Sequence, residues 1–155
     1  MADAEFTTHK LRQNDISDMR ALLSVFADAF EMEEEYLAAQ PDDDYLRSRL
    51  SAPHFITLVA QTEGKIIGGL CAYVLDKFEQ QRAEIYLYDL AVLSAYRRRG
   101  VATALIQALK SEAVACGAYV IFVQADGDDH VAQSLYSGLG QLEKVIHYDI
   151  NPHSK

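Results

Sequence analysis

The sequence predicts an α/β fold built on a single mixed β-sheet. Runs rich in tyrosine, leucine and valine, bounded by polar or glycine-containing turns, indicate the strands. Two longer segments repeat apolar residues at three- and four-residue spacing, which indicates amphipathic helices. Along the chain these segments follow the order βααβββαβαβ, and helices that alternate with strands indicate an α/β architecture.

The first half of the chain predicts a strand, two helices and a hairpin. The first helix is amphipathic, and Asn14 or Asp15 would cap it. Pro41, followed by three aspartates, suits the start of the second helix, because a first helical turn tolerates proline and favours acids. A Glu63-Gly64 turn joins the hairpin strands. The predicted bounds are a strand at 5–11, helices at 14–30 and 41–50, and strands at 54–61 and 65–75.

The second half predicts strands and helices in alternation. A strand at 84–93 precedes a helix at 100–116, for which Gly117 is a typical C-terminal stop. Residues 118–124 form an apolar run, which predicts a strand buried on both faces. The remaining predicted elements are a helix at 130–138, a last strand at 141–150 and a tail from about 151. Because no linker interrupts the sequence, we expect one domain over residues 1–155.

Composition and charge limit the kinds of partner and chemistry that we expect for this protein. Acidic residues outnumber basic ones by 23 to 14, and the resulting net charge of −9 disfavours nucleic acid and anionic membranes as partners and favours cationic ones. No run reaches the roughly 18 apolar residues of a membrane span, and residues 1–10 lack a leader pattern, so we expect a cytoplasmic protein. Cys71 and Cys116 lie in apolar stretches and predict buried free thiols. The histidines lack metal-ligand spacing, so we expect no metal.

A basic turn before the helix at 100–116 is a candidate anion site. Arg97, Arg98 and Arg99 precede Gly100 at the start of that helix. The first amides of a helix have no intrahelical partner and the helix dipole adds partial positive charge, so the position suits a pyrophosphate. Gly100 permits close approach of the backbone. Neither a Walker lysine pattern nor G-x-G-x-x-G is present, which disfavours nucleotide hydrolysis and dinucleotide binding.

Two segments resemble the GNAT superfamily of N-acetyltransferases. They are Asp89-Leu90-Ala91-Val92, continued by 96–105, and Ala132-Gln133-Ser134-Leu135-Tyr136-Ser137-Gly138-Leu139-Gly140. The resemblance implies a GNAT fold, whose single mixed sheet is mostly antiparallel and flanked by about four helices, with acetyl-CoA lying between the strands at 84–92 and 118–124. The residues that it assigns to the coenzyme are Leu90, Ala91, Val92, Arg97, Arg98, Arg99, Gly100, Val101, Ala102, Thr103 and Asp129.

Transfer of an acetyl group from a thioester to an amine makes three chemical demands. The amine must be neutral although its pKa is ~10.4, the oxyanion needs a donor, and the departing thiolate needs a proton. Asp89 and Glu84, on the strand beside the coenzyme, are the candidate bases, acting directly or through a water. Asp89 is preferred because it immediately precedes the acyl-binding segment. The resemblance makes Tyr136 the acid, and core packing is the alternative role for that tyrosine.

The predicted acceptor groove is acidic. An acid-lined groove concentrates a polycation and orients its ammonium groups. The residues assigned to it are Glu79, Tyr88, Asp89, Asp126 and Asp128. Residues 40–46, 72–80, 84–92 and 117–126 resemble the GNAT-type aminoglycoside 3-N-acetyltransferases. That resemblance implies acetylation of the 3-amino group of 2-deoxystreptamine in gentamicin-like antibiotics, and hence resistance to them.

Two other interpretations remain open from the sequence. The same acids would serve a polyamine or another small polycationic acceptor. A non-catalytic acyl-CoA-binding module belongs to a different class, and the presence of both Tyr136 and Asp89 argues against it. The resemblance allows a homodimer, which no stretch of the sequence establishes.

Overall fold

The computed structural model describes residues 5–154. Its strands are β1 (Thr7–Lys10), β2 (Phe55–Thr62), β3 (Lys65–Asp76), β4 (Ala83–Val92) and β5 (Ala118–Val123). Its helices are α1 (Ile16–Phe30), α2 (Asp43–Ser51), α3 (Val101–Ala115) and α4 (His130–Ser137). A π-helical turn occupies Glu34–Ala38, and a 3₁₀ turn occupies Ser94–Tyr96. The density of contacts divides the chain into a first unit that ends at Gln124 and a second that begins at Ala125.

The strands form one mixed sheet in the order β1-β2-β3-β4-β5. The first three pairings are antiparallel, and β4 pairs with β5 in parallel. A parallel pair needs a crossover connection, and α3 supplies it. The prediction of an α/β fold with a mixed, mostly antiparallel sheet is therefore confirmed.

Helices α1 and α2 cover one face of this sheet. Leu22 and Phe26 of α1 pack in a buried cluster with Val59, Cys71 and Ala91 from three strands. Leu58, Leu70 and Ala72 alternate with those strand residues and are equally buried, so they point to the opposite face. Helix α3 packs against all of the strands. The β4 strand is thus fixed between two apolar layers, which gives the site a rigid base.

Local sequence chemistry explains where several elements begin and turn. The carboxylate of Asp42 accepts a hydrogen bond from the backbone amide of Tyr45 at 2.8 Å, so α2 starts after Asp42 rather than at Pro41. In the β2–β3 hairpin, Glu63 and Gly64 both adopt positive φ, as the predicted tight turn requires. Gly117 also has positive φ, at the end of α3, where the sequence predicted the helix to stop.

The predicted burial of the 118–124 strand is wrong. Tyr119 and Val120 are 51% and 39% exposed. Within residues 5–154, β5 is the last strand of the sheet and pairs along one edge only, with β4. An apolar run does not by itself create a covering layer, because burial depends on what packs against the strand.

The predicted last strand at 141–150 is also wrong, because this segment has no regular secondary structure. A strand needs a neighbour for its backbone amides and carbonyls, and in the described part of the chain none pairs with these residues. The segment nevertheless exposes large apolar side chains, namely Leu142, Val145, Ile146, Tyr148 and Ile150.

The prediction of two buried thiols holds for Cys71 and fails for Cys116, which is exposed at the end of α3. Its apolar neighbours in sequence belong to the end of α3, and the last residues of that helix face solvent. Among residues 5–154, no helix is both long and apolar enough to cross a bilayer.

Candidate active site

The pairing of the two parallel strands, β4 and β5, ends partway along β4. The pairing of β4 with β5 ends at Leu87 and Val123, whereas β4 continues to Val92 and remains paired with β3. The edge of β4 that faces β5 is therefore not paired with that strand from residue 88 onward. Leu90, Ala91 and Val92, the predicted acyl-binding residues, lie on this stretch. Such an edge offers backbone donors and acceptors to an extended ligand.

A β-bulge at Tyr88 places Asp89 on the face that carries α1. Cys71 pairs with Asp89, and the next residue of β3, Ala72, pairs with Leu87, so Tyr88 is the extra residue. Two residues further along β3, Tyr73 pairs with Tyr86. Because Cys71 and Tyr73 share a face, Asp89 and Tyr86 share it too, although they are three positions apart. Without the bulge, Asp89 would point to the opposite face.

The carboxylate of Asp89 accepts a hydrogen bond from the hydroxyl of Tyr36, with 2.8 Å between the two oxygens. Burial raises the pKa of Asp89, and the Tyr36 hydrogen bond opposes that rise. Burial and the adjacent carboxylate also raise the pKa of Tyr36, so the phenol keeps its proton and acts as the donor. Asp89 is thus a half-buried carboxylate that is held by a neutral donor and is prone to accept a proton.

Tyr36 is held by the connection between α1 and α2. It lies in the π-helical turn, and its ring contacts those of Phe26 and Phe30 with centroid distances of 5.7 and 6.0 Å. Farther along, the guanidinium of Arg20 donates to the side chains of Gln40 and Asp43, each at 2.6 Å. The connection is therefore held at Tyr36 and again where it meets α2. Sequence reasoning missed this residue, and its only signal was an aromatic side chain within an acidic run.

Glu84 lies on the same face as Asp89, because it pairs with Leu75, which alternates with Tyr73 and Cys71. Its surroundings differ: its carboxylate accepts a hydrogen bond from the hydroxyl of Tyr119 and lies 3.4 Å from the ammonium of Lys77. The Tyr119 hydrogen bond, followed by Lys77, lowers the pKa of Glu84.

Glu79, predicted to bind the acceptor, belongs to the same cluster as Glu84. Its carboxylate lies 3.4 Å from the guanidinium of Arg82 and 3.7 Å from the ammonium of Lys77. The cluster therefore contains two carboxylates and two cations. This end of β4 presents a balanced charge rather than the acidic lining that the sequence suggested.

The basic turn opens α3 in a form suited to an anion. Gly100 is the N-cap residue with φ of +77°, and no side chain caps the first amides of the helix. A Cβ built on Gly100 would meet no atom within 4 Å, so the backbone is open to a bulky group. Arg97, Arg98 and Arg99 are exposed, and the Nε of Arg97 donates to the carbonyl of Val92 at 3.0 Å, which ties the turn to the end of β4.

The remaining residues that the sequence predicts for the site lie in the second unit. Asp126, Asp128 and Asp129 lie in the turn before α4, and Tyr136 is half-buried in that helix. The carboxylate of Asp129 accepts a hydrogen bond from the amide of Ala132 at 3.0 Å, which makes Asp129 the N-cap of α4. This contact gives the aspartate a structural role in addition to the predicted coenzyme contact.

The described residues give no support to nucleophilic chemistry at Cys71 or to a metal site. The thiol of Cys71 lies 3.8 Å from the hydroxyl of Thr57, and burial raises its pKa to about 12, which keeps it protonated and poorly nucleophilic. Across residues 5–154, no group of three or more histidine, cysteine, aspartate or glutamate side chains could hold a metal ion.

The family follows from a comparison with known proteins. The family model described as acetyltransferase (GNAT) matches residues 19–141, which is most of the chain and includes β4, the basic turn and α4. The chain belongs to the GNAT family of acetyltransferases. Members of this family use acetyl-CoA as the acetyl donor. The strand edge of β4 beyond Leu87 and the basic turn that opens α3 both lie within the matched residues.

Similar solved structures include two acetyltransferases from uncultured soil samples. The aminoglycoside acetyltransferase HMB0005 is 50% identical with a TM-score of 0.93, and the match covers 95% of this chain and 98% of that one. The aminoglycoside acetyltransferase meta-AAC0020, solved in complex with sisomicin, is 32% identical with a TM-score of 0.86, covering 94% and 95%. YhfO of Bacillus subtilis, an uncharacterized N-acetyltransferase, is 27% identical over 147 residues, which are 94% of this chain and 99% of YhfO.

Proposed function

We propose that this GNAT enzyme transfers the acetyl group of acetyl-CoA to the 3-amino group of the 2-deoxystreptamine ring of gentamicin-like aminoglycosides, by direct transfer in a ternary complex. Acetylation removes a positive charge from the drug and so weakens its binding to RNA phosphates. Resistance to those antibiotics is the expected cellular consequence.

Asp89 carries the proposal. An ammonium group must lose a proton before it can attack a thioester, and Asp89 is a carboxylate without a cationic partner among its described contacts. Its raised pKa brings it closer to neutral pH than an ordinary aspartate, which improves a general base. The carboxylate also attracts the ammonium before the reaction. Glu84 has already paired with Lys77 and Tyr119, so we assign the base role to Asp89.

The transfer then proceeds in one sequence of bond changes. Asp89 takes a proton from the ammonium, and the neutral amine attacks the thioester carbonyl carbon. The carbon–sulfur bond then breaks, and Tyr136 donates its hydroxyl proton to the departing thiolate. The acylated nitrogen still carries one extra proton, and its transfer to the Tyr136 phenolate, directly or through a water, leaves a neutral amide and restores the phenol. Leu90, Ala91 and Val92 would hold the pantetheine arm and the acyl group through their backbone. The basic turn and the first amides of α3, through Thr103, would hold the pyrophosphate.

Charge and the similar proteins support an aminoglycoside acceptor. The segment that carries Tyr36 begins with an acidic run, and its glutamates Glu31, Glu33, Glu34 and Glu35 line an open depression of about 610 Å³ together with Asp28. The relative meta-AAC0020 was solved with sisomicin and also with trehalose, so that protein holds both an aminoglycoside and a neutral sugar.

Acetyl-CoA consumption tests this proposal. The purified enzyme should release thiol rapidly with gentamicin and sisomicin and slowly with spermidine, and NMR of the product should place the new acetyl group on the 3-amino nitrogen. Faster turnover of spermidine would replace the aminoglycoside with a polyamine acceptor. A product acetylated at another amine would retain the enzyme class and contradict the position.

Gly100→Asp tests the donor side separately. An aspartate there puts a carboxylate and a strained positive φ at the proposed pyrophosphate site. Coenzyme A binding, measured by calorimetry, should be lost while sisomicin binding is retained. Normal coenzyme affinity in the variant would contradict the assignment of the turn.

A further inference from the structure

Five aromatic side chains form an unbroken line of ring contacts across four adjacent strands. Phe55 of β2 contacts Tyr73 of β3 at a centroid distance of 5.4 Å, and Tyr73 contacts Tyr88 of β4 at 5.8 Å. Tyr88 contacts Tyr86 at 5.4 Å, and Tyr86 stacks on Phe122 of β5 at 4.7 Å. We call these five residues the aromatic strip.

The strand register explains why the strip lies on one face. Phe55 pairs with Tyr73, Tyr73 with Tyr86, and Tyr86 with Phe122, so these four side chains point the same way. The bulge inserts Tyr88 beside them, where its ring meets both neighbouring tyrosines at nearly perpendicular angles. Asp89 shares this face. The strip therefore runs past the proposed base.

Exposure distinguishes the strip from ordinary core packing. None of the five side chains is buried, and Tyr73 and Tyr88 are 37% and 59% exposed. Aromatic rings of this size contribute most to stability when they are fully removed from water. A contiguous, partly exposed aromatic surface beside a reactive carboxylate is instead typical of a ligand-binding surface.

We propose that the aromatic strip is the platform on which the sugar and aminocyclitol rings of the acceptor lie. This inference rests on the proposed function and deepens it by naming the acceptor surface. A six-membered sugar ring presents a face of C–H groups, and these pack against the negative face of an aromatic ring.

The strip distinguishes a ring-shaped acceptor from an acyclic one. Carboxylates attract any polycation, so acids alone cannot separate an aminoglycoside from a polyamine of similar charge. An aromatic surface adds contact area only for a ligand with flat C–H faces. Tyr73 and Tyr88 are therefore specificity-determining residues for sugar rings, and the acids supply the attraction common to both ligand classes.

Calorimetric titration with sisomicin and with spermine tests this inference. Tyr88→Leu and Tyr73→Leu should each weaken sisomicin binding by about tenfold, because a leucine keeps some apolar area but has no π face. Tyr88→Phe and Tyr73→Phe should bind sisomicin within about twofold of the unmodified protein, since the phenyl ring retains the platform. Spermine binding should change much less than sisomicin binding in the leucine variants. Tyr148→Leu, at an exposed tyrosine outside the strip, is the matched control and should leave both affinities unchanged.

The outcomes distinguish a failure of the platform proposal from a failure of the proposed function. Equal losses for sisomicin and spermine, or unchanged sisomicin affinity in correctly folded leucine variants, would overturn the platform while acetylation of aminoglycosides could still stand. Tight sisomicin binding that depends on Tyr73 and Tyr88, without acetylation of sisomicin, would sustain the platform and overturn the proposed function. Failure of the unmodified protein to bind sisomicin at millimolar concentration would overturn the platform. Circular dichroism of each variant confirms its fold.

Discussion

Asp89 and Glu84 are carboxylates on the same face of one strand, yet their surroundings shift their pKa values in opposite directions. Asp89 is half-buried, its described hydrogen bond comes from a neutral phenol, and burial raises its pKa. Glu84 receives a tyrosine hydroxyl and lies beside Lys77, and its pKa is lowered. Each acid lies close to a bulge, with Tyr88 as the extra residue near Asp89 and Tyr119 near Glu84.

The difference shows that burial and the local hydrogen-bond partners, more than the strand position, set the direction in which the pKa of each acid shifts. Lys77 and Arg82 lie in the connection between β3 and β4 and compensate the carboxylates of Glu79 and Glu84. Near Asp89 the neighbours are aromatic rings and a buried thiol, which desolvate the carboxylate without neutralising it. An unpaired carboxylate is available to hold an incoming ammonium and to take its proton.

The largest expected effect is on turnover. Asp89→Asn should lower kcat for gentamicin by about 10²-fold or more, since general-base catalysis typically contributes that much. Glu84→Gln is the matched control and should keep kcat within about threefold, because its carboxylate is already engaged. Steady-state thiol release measures both variants. Equal losses of kcat would mean that both acids take part in proton transfer. A loss confined to Glu84→Gln would assign the base role to Glu84.

A smaller effect is expected from Tyr36→Phe, which removes the hydroxyl and keeps the ring that packs on Phe26 and Phe30. Without the hydrogen bond that opposes burial, the pKa of Asp89 should rise further. The acid limb of the kcat/KM profile should therefore move to higher pH, and rates measured on that limb should fall by about three- to tenfold. Tyr148→Phe provides the control. If the acid limb does not move, the Tyr36 hydroxyl does not affect the base, and the role of Tyr36 is packing alone.

The smallest effects are on thermal stability, and their signs should differ. The pKa of Asp89 is raised by folding, so this group favours the folded state below its unfolded pKa and loses that contribution as pH rises through the folded value. Asp89→Asn should thus raise Tm at pH 7 by about 2–4 °C. The pKa of Glu84 is lowered, so its contribution is present at pH 7 and is lost as pH falls through the folded value. Glu84→Gln should lower Tm slightly, by calorimetry, and a higher Tm would contradict the assigned interactions.

Much of the fold was predictable because its signals are local. The hairpin turn at Glu63 and Gly64, the stop at Gly117 and the amphipathic pattern of α1 depend on nearby residues alone. Two of the errors, the burial of β5 and the strand at 141–150, concern segments whose state depends on a partner elsewhere. Alternation and apolarity describe what a segment can pair with, and they do not supply the pair.

The residues of the candidate site also differ in whether the sequence alone could predict them. The basic turn and Asp89 were identified from short motifs. Tyr36 was not, because it reaches Asp89 across 53 positions of sequence from a π-helical turn with no periodic pattern. The cations beside Glu79 and Glu84 were visible in the sequence, but only the register of β3 against β4 brings Lys77 to Glu84. The aromatic strip likewise depends on the register of four strands.

Carboxyl ¹³C NMR across a pH titration of the unmodified enzyme tests the central comparison most directly. With Asp89→Asn and Glu84→Gln used to assign the two signals, the account predicts that Asp89 titrates above the ordinary aspartate range and Glu84 below the ordinary glutamate range. The pH dependence of each signal is compared with that of an exposed side chain of the same type. An Asp89 signal that titrates at or below the ordinary aspartate pKa would contradict the assignment of Asp89 as the base.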